Sequence, residues 1–299
     1  MYSQITSNKR KTIFLITVFL VFIIGLAFLF AQIYPDYSFI LPLAVILAAI
    51  SSFASYYWSD KIVLSISRAK EIEKSDNPQL YRLVENLAIT SGLPLPKIYI
   101  IQDSAPNAFA TGRDPEHAVI CVTNGLIEKL EKAELEGVIG HELSHIKNYD
   151  IRLQTIVVTL VGILALMSDF FLRFTWFSSR RRKSNDENRG EGQIQIILLV
   201  VGIVFAVLAP IAGTLIQLAI SRRREFLADA DSALLTRYPP GLARALMKIA
   251  QDEEILEASN KATAHLFIVN PLRGRKVSKF FSTHPPLEER VKALNSMEV

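Results

Sequence analysis

Glu131-Lys-Ala-Glu-Leu-Glu-Gly-Val-Ile-Gly-His-Glu-Leu-Ser-His-Ile-Lys-Asn-Tyr-Asp150 decides how this chain is read. Its spacing predicts a helix over 131–147. Residues four apart lie on one helical face, so the imidazoles of His141 and His145 can reach the same ion, and zinc is the ion that suits this pattern. Glu142 sits one residue round from His141, which places its carboxylate beside the ion rather than on it. From there it can take a proton from a water molecule and later deliver one to a leaving amine. The bland alternative is a surface helix with two solvated histidines.

A catalytic zinc needs a third protein ligand and an open position. The best candidate outside the motif lies in Ser221-Arg-Arg-Arg-Glu-Phe-Leu-Ala-Asp-Ala-Asp231, where Glu225 and Asp229 share a helical face. Glu225 would ligate, and Asp229 would hydrogen-bond a ligand imidazole and fix its tautomer. Equally, both acids could simply pair with Arg222, Arg223 and Arg224, and spacing alone leaves these readings open.

Outward from the motif, the chain divides by hydropathy. Half of its 299 residues are hydrophobic, and the excess sits in a few long runs. Runs over 12–33 and 39–58, separated by Tyr34-Pro-Asp-Tyr-Ser38, read as a tight hairpin of two spans. Lys9 to Lys11 followed by an apolar stretch also resembles a cleaved signal peptide, but the stretch is too long and lacks an A-x-A site. Two further runs cover about 154–174 and 194–220, the latter with an expected kink at Pro210. The net charge of +4, from 33 basic and 29 acidic residues, is too mild to suggest nucleic acid. The basic clusters instead flank apolar runs, as at a lipid bilayer surface. Cys121 is the only cysteine, so no intrachain disulfide can form.

Between the hairpins the chain reads as soluble. The apolar spacing of Leu80, Leu83, Val84, Leu87 and Ala88 predicts a helix over 79–90, ended by Gly92 and Pro94. Lys97–Ile101 and His117–Thr123 read as strands, with Asn107–Gly112 between them as a turn or edge element. The segment from Ser221 onward reads as mostly helical.

Taken in order, His141-Glu-x-x-His145, Ser221-Arg-x-x-Arg-Glu225-x-x-Ala-Asp229 and Ser282-Thr-His-Pro-Pro-Leu-Glu-Glu-Arg290 resemble the HtpX family of membrane zinc metalloproteases, relatives of the CaaX-prenyl endopeptidases. The resemblance covers nearly the whole chain. It implies one zinc ion per chain held by His141, His145 and Glu225, Glu142 as general base and Asp229 as support for a ligand imidazole. It implies protein or peptide substrates, membrane proteins above all, cleaved in quality control. It also assigns Asn107, Ala108, Phe109 and the strand over 117–123 to an edge that pairs with extended substrate, which elementary strand addition would allow. His284 reads either as an oxyanion donor or as a structural histidine capping the helix that starts near Leu287.

The expected fold is therefore a mainly α, multi-pass membrane protein with an α+β, zincin-like protease domain and a small sheet. Its expected parts are a hairpin over 1–59, a catalytic segment over 60–152, a second hairpin over 153–220 and a C-terminal lobe over 221–299. The charges flanking the motif argue against cleavage within the bilayer. A non-catalytic four-span scaffold or transporter would have no use for Glu142. Lys9 to Lys11 should hold the N-terminus, and with it the catalytic segment, in the cytoplasm of a cell whose plasma membrane it spans. The basic loop over 178–191 opposes full crossing by the second hairpin, whereas the length of the fourth run favours it.

Overall fold

The computed structural model describes residues 2–33, 40–163, 222–258, 263–269 and 285–297. The expected spans over 194–220, most of the run over 154–174, the loop over 178–191, Pro210 and His284 lie outside these residues.

Two long helices come first, α1 (Tyr2–Ile33) and α2 (Ile40–Ile66), packed against each other. Both extend beyond the apolar runs, and α2 continues unbroken through the expected boundary at 59/60. A helix over 150–163 likewise passes through 152/153, so those positions mark changes of composition within helices rather than breaks in the backbone. Among the described residues no helix is long and apolar enough to cross a membrane. Lys9 to Lys11 lie in the N-terminal third of α1, and Asp60 and Lys61 lie near the C-terminal end of α2.

The sheet has the order β1-β2-β4-β3. Its strands are β1 (Lys70–Glu71), β2 (Lys97–Ile101), β3 (Ala108–Gly112) and β4 (Ala118–Thr123). β2 and β4 run parallel, while β1 and β3 lie antiparallel at the two edges. Side chains alternate across a strand. Ile98, Ile100, Ile120 and Val122 face the main core, whereas Ile101, Phe109, Val119 and Cys121 face a second one. Both faces are covered, which is why β4 reads as a continuous apolar run. The expectation that the strand over 117–123 shares a substrate edge is thereby corrected. β4 is hydrogen-bonded on both sides, so of these two strands β3 alone has an outer edge.

Helix α3 (Pro78–Ser91) buries the five apolar residues its spacing singled out. Asn77 caps it by accepting the Leu80 N–H at 3.0 Å, and Gly92 ends it at a φ of 69°, in the left-handed region that glycine enters without a steric cost. After α4 (Asn124–Lys129), helix α5 (Lys132–Lys147) passes through the centre of the molecule. It packs on β3, on α7 (Arg222–Thr236) and on α8 (Pro239–Gln251), and α9 (Leu287–Asn295) closes over α8. The motif helix is thus a buried helix, not the solvated surface helix that stood as its alternative.

The close approach of α5 to α7 and α8 depends on two glycines. A Cβ at Gly137 would stand 2.7 Å from the Leu242 backbone nitrogen, and one at Gly140 would stand 2.9 Å from Ser232 Oγ. Ser232 in turn donates to the Gly137 carbonyl at 2.6 Å.

The start of α5 is fixed by Glu134. Its buried carboxylate accepts the Glu131 N–H at 2.9 Å and pairs with Lys248 Nζ at 2.7 Å. Burial alone would raise its pKa, but the Lys248 hydrogen bond, the Glu131 N–H and the Arg244 charge outweigh that and hold it below the ordinary value. A depressed carboxyl pKa contributes stability above its unfolded value of 4.5, and that stability is lost as pH falls through the folded pKa. Glu134→Gln should therefore melt below the wild type at neutral pH, with the gap closing in acid. Thermal melts of the full chain across pH check this, and a gap independent of pH would contradict it.

Candidate metal centre

Helix periodicity puts His141 and His145 on the face of α5 that meets α7, and the same periodicity on α7 turns Glu225 and Asp229 toward them. All four are at most 5% exposed. The two Nε2 atoms lie 3.1 Å apart. His141 Nε2 is 3.7 Å from one Glu225 oxygen, and His145 Nε2 is 3.6 Å from the other. Four-coordinate zinc with bonds of about 2.0–2.1 Å holds its ligand atoms about 3.3 Å apart. The observed separations match that spacing, so these three side chains could hold a metal ion.

The far side of each imidazole is anchored. His141 Nδ1 lies 3.0 Å from Asp229 Oδ1, and His145 Nδ1 lies 3.0 Å from Asp150 Oδ2. A carboxylate takes the Nδ1–H in each case, which turns both Nε2 atoms toward one point. Asp229 is where sequence reasoning expected it. Asp150 was noted only as a charge beside the motif. The chain turns at Asn148 and at Tyr149, whose φ of 59° is left-handed, and this reversal brings Asp150, at the start of the 150–163 helix (α6), back onto His145.

Arg290 is the second residue that sequence reasoning passed over. It was part of a quoted motif but had no assigned role. Its side chain is 2% exposed and grips Asp229 with two parallel bonds, Nε to Oδ2 at 2.8 Å and Nη2 to Oδ1 at 2.6 Å. A third bond goes from Nη1 to the Ile268 carbonyl at 3.3 Å. Burial would raise the Asp229 pKa, but the Arg290 charge outweighs it and keeps the carboxyl below its ordinary range.

The electrostatics separate the motif residues. Burial lowers the His141 pKa, and Asp229 only partly opposes it. Burial would also lower that of His145, but the Asp150 hydrogen bond and the Glu225 charge overcome this and raise it to about 9. Burial pushes Glu142 up to about 7. Its carboxyl accepts the backbone N–H of Ala110, on the outer strand β3.

Among these buried groups four carboxylates, from Glu142, Asp150, Glu225 and Asp229, face two guanidinium groups, from Arg224 and Arg290. His145, its pKa raised to about 9, adds a third positive charge, and Glu142, raised to about 7, is only partly ionised, so the group is close to balance.

The expected substrate residues lie on the outer strand, but not as free surface. The Asn107 side chain donates to the Val269 carbonyl at 2.9 Å, the Ala108 carbonyl accepts the Ile268 N–H at 3.0 Å, and Phe109 is wholly buried against Phe267. The segment over 263–269 therefore occupies the β3 edge at Ala108. The edge beyond it, at Ala110, faces Glu142.

Two histidines and a carboxylate converging on one point, with a further glutamate beside them and a strand edge alongside, define the metallopeptidase class. Comparison with known proteins agrees. Residues 74–298 match the family model described as Peptidase family M48. The Protease HtpX homolog of Dictyoglomus turgidum is 45% identical over 298 residues, covering 99% of this chain and 94% of that protein. The Protease HtpX homolog of Tropheryma whipplei is 45% identical over 297 residues, covering 99% and 98%. The crystal structure of S. mikatae Ste24p aligns with 95% of this chain and 66% of its own at 23% identity and a TM-score of 0.49, a likeness too slight to carry weight. The chain belongs to peptidase family M48 and is a metalloprotease. The resemblance read from its three motifs is confirmed.

Breaking the Arg290–Asp229 pair would leave a carboxylate buried without its cation, which typically costs about 3–5 kcal/mol. Arg290→Ala should destabilise the folded chain by that order. Denaturant unfolding of the metal-free protein measures it, and a loss under about 1 kcal/mol would show that Asp229 does not depend on Arg290.

Proposed function

We propose that this chain is a membrane-bound, zinc-dependent endopeptidase that cuts damaged or misfolded membrane proteins, with its active site on the cytoplasmic face of the cell membrane. The observation that carries the metal and its ligands is the convergence of His141 Nε2, His145 Nε2 and Glu225 at separations of 3.1 to 3.7 Å. Two imidazoles and one carboxylate are a donor set that suits zinc and leaves a position open.

In this reading His141, His145 and Glu225 hold one zinc ion. When bound, the ion supplies Lewis-acid polarisation of the scissile carbonyl and of the attacking water. Glu142 takes the proton from that water and returns it to the leaving amine. Burial, which raises its pKa to about 7 in the metal-free site, favours its holding a proton. Asp229 and Asp150 keep each imidazole in the tautomer whose Nε2 lone pair faces inward. The outer edge of β3 seats an extended substrate next to Glu142. Backbone pairing of this kind is tolerant of side chains and fits a broad substrate range.

Membrane attachment rests on the first two helices. The run over 12–33 has no charge and would extend about 33 Å as a helix, enough for a hydrocarbon core. The helix pair exposes large apolar side chains, among them Phe14 at 62%, Val21 at 66%, Ile50 at 59% and Phe53 at 55%. A soluble surface rarely carries such a patch. Tyr57 and Trp58 follow on α2, as at a bilayer interface, and Lys9 to Lys11 favour a cytoplasmic N-terminus. The second hairpin is proposed to cross fully, for the length of its fourth run.

Purified full-length protein should contain one zinc per chain and cleave casein, and a chelator should abolish the cleavage. Glu142→Gln should retain zinc and lose about 10²–10⁴-fold in activity. Glu225→Ala should lose the metal. Cleavage by Glu142→Gln at the wild-type rate, or stoichiometric zinc in Glu225→Ala, would sink the assignment.

A further inference from the structure

We propose that Asn8, on the N-terminal helix, is a positioning residue for the metal site, acting on His145 through Asp150; this rests on the metal-ligand reading above. Asparagine is a poor helix former, because its amide competes for backbone hydrogen bonds. In α1 it stands beside three exposed basic residues, yet it is only 1% exposed itself. A polar amide that is buried has to be matched by partners.

Its partners all belong to the metal-site shell. Asn8 Nδ2 donates to Asp150 Oδ1 at 2.6 Å and to the Asn148 carbonyl at 2.9 Å. Asn8 Oδ1 accepts from Arg224 Nη1 at 3.3 Å. Arg224 Nη1 also lies 3.5 Å from Asp150 Oδ1. The two oxygens of Asp150 are thus divided. Oδ1 is held by Asn8 and Arg224, and Oδ2 holds His145 Nδ1. Rotating the carboxylate away from Asn8 would also turn Oδ2 off the imidazole.

The second Asn8 bond restrains the same geometry from another side. The Asn148 carbonyl lies in the turn that brings Asp150 back to the ligand helix, next to Tyr149 with its positive φ. Asn8 therefore clamps both the carboxylate and the turn that delivers it. On the opposite ligand, Arg290 from α9 does the equivalent for Asp229 and His141. One imidazole is steadied from the C-terminal helix and the other from the N-terminal one. The seating of α1 then enters the metal affinity of a site that is distant from it in sequence.

The test is zinc affinity of the full-length chain in detergent, measured by competition with a chelating dye, beside thermal melts of the metal-free proteins. Removing a hydrogen-bond partner from the shell around a metal ligand costs about 10–100-fold in metal affinity, and Asn8, one bond further out, should give about the lower figure. Asn8→Ala should bind zinc about tenfold more weakly. Asn8→Asp, which keeps the shape but presents a carboxylate to Asp150, should also bind more weakly than wild type, and it carries the test if Asn8→Ala does not fold. In combination, Asn8→Ala should add nothing to Asp150→Ala, while its factor should multiply with that of Asp229→Ala. Wild-type affinity in both Asn8 variants, or factors that multiply with Asp150→Ala, would overturn the proposal. A His145→Ala control separates the two claims: if it binds zinc like wild type, the ligand assignment has failed and the role of Asn8 falls with it.

Discussion

Everything at the centre of this molecule depends on two hydrogen bonds, from His141 Nδ1 to Asp229 and from His145 Nδ1 to Asp150, each at 3.0 Å. An imidazole has two nitrogens, and only the one without a proton can bind a metal. Fixing the proton on Nδ1 turns both Nε2 lone pairs toward Glu225. The carboxylates that do this are buried, so they need their own partners. Arg290 grips one, and Asn8 and Arg224 hold the other. The outermost helices of the chain are bound to the site for that reason.

The scaffold follows from the same demand. Helix α5 is surrounded by β3, α7 and α8 and can approach the last two only because Gly137 and Gly140 lack side chains. That closeness places Glu225 within reach of the imidazoles. It also excludes water, which raises the Glu142 pKa to about 7. The geometry of the three side chains could hold a metal ion.

Much of this was legible in the sequence. The helices over 78–91 and 132–147 and the strands β2 and β4 follow from local periodicity and turn residues, and each lies within a residue or two of where spacing placed it. Glu225 and Asp229 stood out as candidates because they sit four apart on one helix, but spacing left pairing with the neighbouring arginines equally open, and their roles came from the family resemblance. What escaped was long-range or conformational. β1 is two charged residues and has no apolar pattern. Asp150 reaches His145 only through a left-handed residue at Tyr149, which spacing along an ideal helix does not anticipate. Arg290 and Asn8 meet their partners across 61 and 142 positions of chain. Nothing local distinguishes them from a helix-surface arginine and an N-terminal polar residue. The edge role expected for the strand over 117–123 failed because strand order is not encoded in a single strand's pattern. β3, not β4, is outermost.

The most direct measurement of the central claim is zinc-edge anomalous diffraction from the full-length Glu142→Gln protein loaded with zinc. The expected result is one peak between His141 Nε2, His145 Nε2 and the Glu225 carboxylate, at about 2.0–2.1 Å from each. A peak elsewhere, or a zinc that touches only one of the two imidazoles, would contradict it.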